Sequence, residues 1–165
     1  MAMQYDVQSA HTNVSAKMVV GRTRVKGIVL GGAAGTLNLW DATQAPTAVT
    51  YARSAAGVIT ITHNAHGFVA GQKIGLTFAA GTGGTATNGN YVILTAATNT
   101  YTVQDINTGA ITAGAAANEN TRWLFSVDNA DTVPYNIIVP GEGMLAENGV
   151  YAQLASIPNV EIFYG

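Results

Sequence analysis

Short runs of β-branched and aromatic residues, each closed by glycine or asparagine, govern what this chain can become. "RTRVKGIVL" (22–30), "VITIT" (58–62), "YVIL" (91–94), "TYTV" (100–103) and "NVEIFY" (159–164) alternate with "GGAAG", "NAHG", "TGGTATNG" and "ENG". Strand-favouring residues fill the runs, and residues that tolerate positive φ fill the gaps. Turn signals recur about every 8–12 residues, the spacing of small sandwiches and barrels. No amphipathic helical pattern exceeds two turns. The expected fold class is therefore all-β: an outer antiparallel β-sandwich or barrel, split in sequence, carrying a small inserted β-barrel module.

The split follows a change of texture. Residues 1–17 read as an N-terminal arm; 1–13 are polar and aperiodic, a pattern that stays disordered unless something such as a partner subunit holds it. Residues 18–53 plus 121–165 read as the outer β-domain. Residues 54–120, richer in Gly, Thr, Ala and Asn, read as the inserted module. In that module "GVITITH", "QKIGLTF", "NYVILTA", "TYTVQDI" and "GAITA" predict five strands, and "AGAAANEN" (113–120) predicts a linker back. "PTAVTYAR" predicts a last outer-domain strand, with Pro46 at its start, where proline is tolerated.

Composition removes several function classes. Charged residues make up only 10% of the chain and the net charge is −2, which leaves no basic face for nucleic acid. Cysteine is absent, so disulfides, thiolate zinc sites and thiol nucleophiles are excluded. The longest apolar stretch, around "GIVLGGAAG", falls far short of the roughly 20 residues of a membrane span. The N-terminus has neither the basic lead nor the apolar core of a signal peptide. The expectation is a soluble chain made in a cytoplasm, without membrane or nucleic-acid partners.

Two motifs invite a chemical reading. His63 and His66 are three apart in "THNAHGF", but a zinc site needs three or four ligands, and the nearest acid downstream along the chain is Asp105. The turn reading, with the imidazole bonded to backbone, is preferred. "GTGGTATNG" (81–89) is glycine-rich, yet "NYVILTA" follows it, so it joins strand to strand and not strand to a phosphate-binding helix. The carboxylates are scattered and no serine has a nucleophile-elbow context. No cofactor, metal or catalytic residue is assigned, and the chain is read as a non-enzyme. Arg22, Arg24 and Lys26 alternate with Thr23 and Val25, so three cations are expected on one face of one strand. They either protect a solvated edge or dock an acidic neighbour. Trp40 and the arm's Tyr5 complete the candidate interface set.

Two resemblances add to this. "VITITHNAHGFVAGQKIGLTFAAGTGGTATNGNYVIL" with "TYTVQD" resembles a β-barrel module of bacteriophage virion proteins, similar to the first catalytic cysteine half-domain (FCCH-like) family of ubiquitin-activating enzymes. The matching residues are His66-Gly67, Gly71-Gln72-Lys73-Ile74, Asn88-Gly89-Asn90-Tyr91 and Tyr101-Thr102-Val103. The resemblance brings no catalytic residue with it. The flanks resemble small structural proteins of tailed marine phages, through Val25-Lys26-Gly27-Ile28, Pro140-Gly141-Glu142-Gly143 and Phe163-Tyr164-Gly165. Together they imply a virion structural protein, a homo-oligomer bound to major capsid protein or another virion protein. A head decoration or cement protein is the leading expectation. The alternatives are a tail or fibre-attachment component, or a carbohydrate-binding module that uses Trp40 and Trp123 as a sugar platform.

Overall fold

The computed structural model describes residues 7–165, and every regular element among them is a strand. Tyr5 lies outside the described residues. In chain order the strands are β1 Gln8–Thr12, β2 Ala16–Val20, β3 Thr23–Leu30, β4 Gly35–Asp41, β5 Thr47–Arg53, β6 Val58–Thr62, β7 Lys73–Phe78 and β8 Gly89–Val92. Then follow β9 Thr95–Ala96, β10 Thr100–Gln104, β11 Ile111–Asn120, β12 Trp123–Asn129, β13 Tyr135–Ile138, β14 Met144–Ala146, β15 Gly149–Ala155 and β16 Val160–Tyr164. They divide into two compact units, one running up to Ala45 and resuming at Leu124–Gly165, the other Pro46–Trp123.

The first unit has two sheets. One runs β1-β16-β3-β13, with β14 also paired to β3; the other runs β12-β4-β15-β2. Alternation along β3 and β4 turns Val25, Ile28, Leu30, Leu37 and Leu39 into a shared core, where they meet Val150, Ala152, Val160 and Ile162 from β15 and β16. This is sandwich packing: each sheet contributes its inward residues to one layer. Fully burying each of the Val, Leu and Ile side chains contributes about 1.5–3 kcal/mol.

Strict alternation fails once, within β3. Val25 and Ile28 both point into the core although they are three apart. The register against β16 slips at the same place: Phe163 pairs with Gly27, but Tyr164 pairs with Val25. The extra residue is a β-bulge at Lys26–Gly27, which resets which side chains face inward. Arg24 and Lys26, two residues apart, both fall on the outer side of β3.

Three sequence expectations change here. Residues 8–12 of the arm form β1, an edge strand hydrogen-bonded to β16 from Gln8↔Tyr164 to Thr12↔Val160, and Ala10 packs on the core. The arm is therefore satisfied by this chain's own backbone over those residues. Second, β5 pairs with β6 and β11 in the second unit, so that unit starts at Pro46 and not at residue 54. Third, "AGAAANEN" is no linker. It forms most of β11, a central strand between β7 and β5; its small side chains hid a backbone paired with β5 from Ala115 to Glu119 and with β7 from Ala117 to Asn120.

The second unit is a single sheet ordered β8-β7-β11-β5-β6-β10-β9. Its first and last strands belong to one extended segment, 89–96. β8 pairs with β7, while β9 pairs with β10. Between them, Ile93 is hydrogen-bonded to Gly71 and Gln72, and Leu94 donates to Thr102. One segment thus hands its pairing from one end of the sheet to the other, and the sheet curls round its own core of Tyr51, Ile59, Ile61, Leu76, Tyr101 and Val103. Gly75 is needed on β7, because a Cβ there would lie 2.3 Å from the Trp123 amide nitrogen. Asn90 holds that amide, accepting from it at 2.8 Å and donating to the Trp123 carbonyl at 2.8 Å.

Candidate functional site

Within the curled sheet the polar side chains fall into two buried clusters. The first closes the β5–β6 end. Arg53 is buried, and its Nη1 lies 2.5 Å from Oδ2 of Asp105. Its Nε donates to the Gly109 carbonyl at 2.8 Å and Nη2 to the Thr108 carbonyl at 3.1 Å. Asp105 in turn accepts from the amides of Thr87 at 3.3 Å and Asn107 at 3.2 Å. Burial alone would raise the Asp105 carboxyl. Its hydrogen bonds with Thr87, Arg53 and Asn107 outweigh that and hold it below the usual carboxylate range. Besides each other, Arg53 and Asp105 bond the loop backbone at Gly109, Thr108, Thr87 and Asn107, so the pair works as a strut for the 105–109 turn.

The second cluster holds the first of the two histidines. Glu119, on β11, is buried and accepts from the Tyr101 hydroxyl. Nδ1 of His63 lies 2.5 Å from Oε1 of the same carboxylate, outside hydrogen-bonding direction. Burial first, and then the hydrogen bond to Glu119, push the Tyr101 hydroxyl far above the ordinary tyrosine value. His66 belongs to the neighbouring turn. Its Nδ1 accepts from the Phe68 amide at 2.9 Å, and its Nε2 lies 3.2 Å from the Thr100 carbonyl. Phe68 stacks on the His66 ring with centroids 5.1 Å apart, and the Tyr101 ring meets both edge-on. Ala65 at φ 54 and Gly67 at φ 69 make the tight turn.

The histidines therefore share no centre: His66 spends both nitrogens on backbone, and the two ring centroids are 5.9 Å apart. Among the described residues no group of three or more histidines and acids is arranged to hold a metal ion. The glycine loop 81–89 connects the paired strands β7 and β8, as a hairpin loop does. Its turn is pinned by a Gly81–Gly84 bridge and by the Phe78 amide on Asn88 Oδ1 at 2.8 Å. Sequence reading missed Glu119 and the Arg53–Asp105 pair. The signal was a charged residue at an inward position of an otherwise apolar alternation, as in "TAVTYAR".

In the first unit the cationic stripe is placed differently from expectation. β3 is an interior strand, flanked by β16 and by β13 and β14, so edge protection is not its role. Arg22 lies in the turn before β3 and pairs with Glu147 at 3.0 Å; Arg24 approaches Glu142 at 3.8 Å. Both pairs are solvent-exposed and each contributes at most about 1 kcal/mol. Trp40 is fully buried, with Nε1 donating to Gln153 Oε1 at 3.1 Å, so it cannot serve as a surface anchor or a sugar platform. Asp41 beside it is buried and accepts from the amides of Glu147 and Asn148, fixing the turn into β15.

No protein-family model matches the chain and no curated protein matches it, so the resemblances rest on the residues quoted for them. Among solved structures the chain is similar to a phage phi92 endosialidase at 15% identity and a TM-score of 0.35. That likeness covers 80% of this chain and 20% of the endosialidase chain, and at that level it carries no statement about function.

Proposed function

We propose that this chain is a non-catalytic structural protein of a bacteriophage particle, most simply a decoration or cement protein bound to the assembled head. The observation that carries the reading is where the reactive side chains have gone. Arg53, Asp105, Glu119 and Asp41 are all buried and bonded to turns or to each other. What such a chain offers its surroundings is strand edges, small side chains, exposed apolar residues such as Ile106 and Ile138, and scattered charges such as the Arg22–Glu147 pair. That surface suits binding by shape. The phage-type flanks, Val25–Ile28, Pro140–Gly143 and Phe163–Gly165, supply the particle context. A protein that binds only the assembled shell stabilises it by mass action, without chemistry.

Co-sedimentation tests this. The purified chain is mixed with assembled heads of the phage that encodes it and, separately, with unassembled capsid protein. The proposal expects saturable binding to heads alone. Equal binding to both, or to neither, overturns the cement reading.

A further inference from the structure

We propose that the chain self-associates through β13, two copies pairing antiparallel across a two-fold axis at Ile137. The proposal stands apart from any role in a particle. Among the described residues β13 ends its sheet and is paired on one side only, with β3. The Val139 amide donates to the Lys26 carbonyl at 3.0 Å, in line with the β13–β3 register. An antiparallel ladder alternates, so Tyr135 and Ile137 also turn their backbone groups towards β3. Asn136 and Ile138 then turn theirs to the open side.

The strand is unguarded. Of the four strands that end the first unit's two sheets, β1 carries the titratable His11, β2 carries Lys17 and β12 carries Asp128, whereas β13, "YNII", carries no charge. Edges are normally blunted by charge, because an unpaired edge is a template for another strand. Here Ile138 is 80% exposed and Tyr135 44% exposed. From Val133 to Pro140 there is no charged residue, so the paired strands themselves set no like charges against each other; Asp131 and Glu142 lie just beyond.

The flanking prolines select the register. Centred on Ile137, the pairing sets Asn136 against Ile138 of the second copy and Ile138 against its Asn136. Every outward N–H then meets an outward carbonyl. Centred on Asn136, Ile138 would face Pro134, and centred on Ile138, Asn136 would face Pro140; neither proline has an N–H to give. The Ile137 register also keeps the Tyr135–Ile137–Val139 faces of both copies on one side of the joined sheet. So short an edge buries well under the roughly 1,000 Å² of a stable interface. The dimer is therefore weak in dilute solution and takes hold where copies are crowded together.

The absence of cysteine makes the test clean. In the proposed register, positions 136 and 138 of two copies face each other with Cα atoms about 5.5 Å apart, within disulfide reach. Full-length chain carrying both Asn136→Cys and Ile138→Cys should form covalent dimers under mild oxidation, and either single variant should form few. In parallel, the wild-type sedimentation weight should rise with concentration. Ile138→Lys should abolish that rise while leaving the melting temperature unchanged. Equal crosslinking by a single variant, or a wild-type weight that stays monomeric at all concentrations, overturns the proposal.

Discussion

At the residue scale, the second unit depends on two carboxylates that the alternation of its strands places inside. Asp105 neutralises Arg53 where neither can reach water, so removing one partner leaves a bare buried charge. Asp105→Ala is expected to destabilise the protein by about 3–5 kcal/mol, read by urea unfolding. The sign with pH follows from the depressed carboxyl. Its stabilising contribution is fully present above the unfolded value, about 3.9, and is lost only as pH falls through the lower folded value. The acid-unfolding profile of the wild type should therefore lose, in the variant, a component at strongly acidic pH. Tyr101 acts in the opposite direction. Its raised pKa keeps the hydroxyl protonated on Glu119, a contribution present below the ordinary tyrosine value of about 10 and lost as pH rises beyond it. Tyr101→Phe should cost about 1–3 kcal/mol at neutral pH, because Glu119 loses its buried donor, and should reduce the alkaline loss of stability. Tyr91, raised to about 12 chiefly by burial, adds to that alkaline loss.

At the element scale, β1 is the strand whose role differs most from its sequence. "QSAHT" has no apolar stripe, and its pairing comes from backbone bonds to β16 and from one small side chain, Ala10, on the core. Polar edge strands of this sort leave no period to read. Deleting residues 1–13 should therefore lower the thermal midpoint by several degrees, since each lost backbone hydrogen bond contributes about 0.5–1.5 kcal/mol. An unchanged midpoint would mean that β1 is dispensable. The strands with strong alternation, such as "GVITITH", "QKIGLTF" and "TYTVQDI", were legible from sequence, as were the His66-Gly67 turn and the hairpin loop 81–89. Pairing partners were not. β5 looks like a continuation of the first unit, and only its ladders with β6 and β11 assign it to the second. The β3 bulge was equally hidden, because period-two reading presumes no inserted residue; so was the start of β3 at Thr23, which leaves Arg22 in the preceding turn and off the strand face.

At the scale of the whole molecule, an all-β fold split in sequence followed from turn spacing and composition, because tight glycine and asparagine turns leave few other architectures. Function was less legible, since contact surfaces are written in edges and exposed residues whose sequence pattern is weak. The buried position of Trp40 shows this: its size suggested an anchor, and its place on β4 put it inside. The central claim is that this chain works by fitting onto a phage particle. The most direct measurement is immunogold labelling of purified particles of the encoding phage, with the number of chains per particle counted by quantitative mass spectrometry. The account predicts many copies distributed over the head. A single ring of copies at the tail would contradict the decoration reading, and absence from the particle would contradict the claim itself.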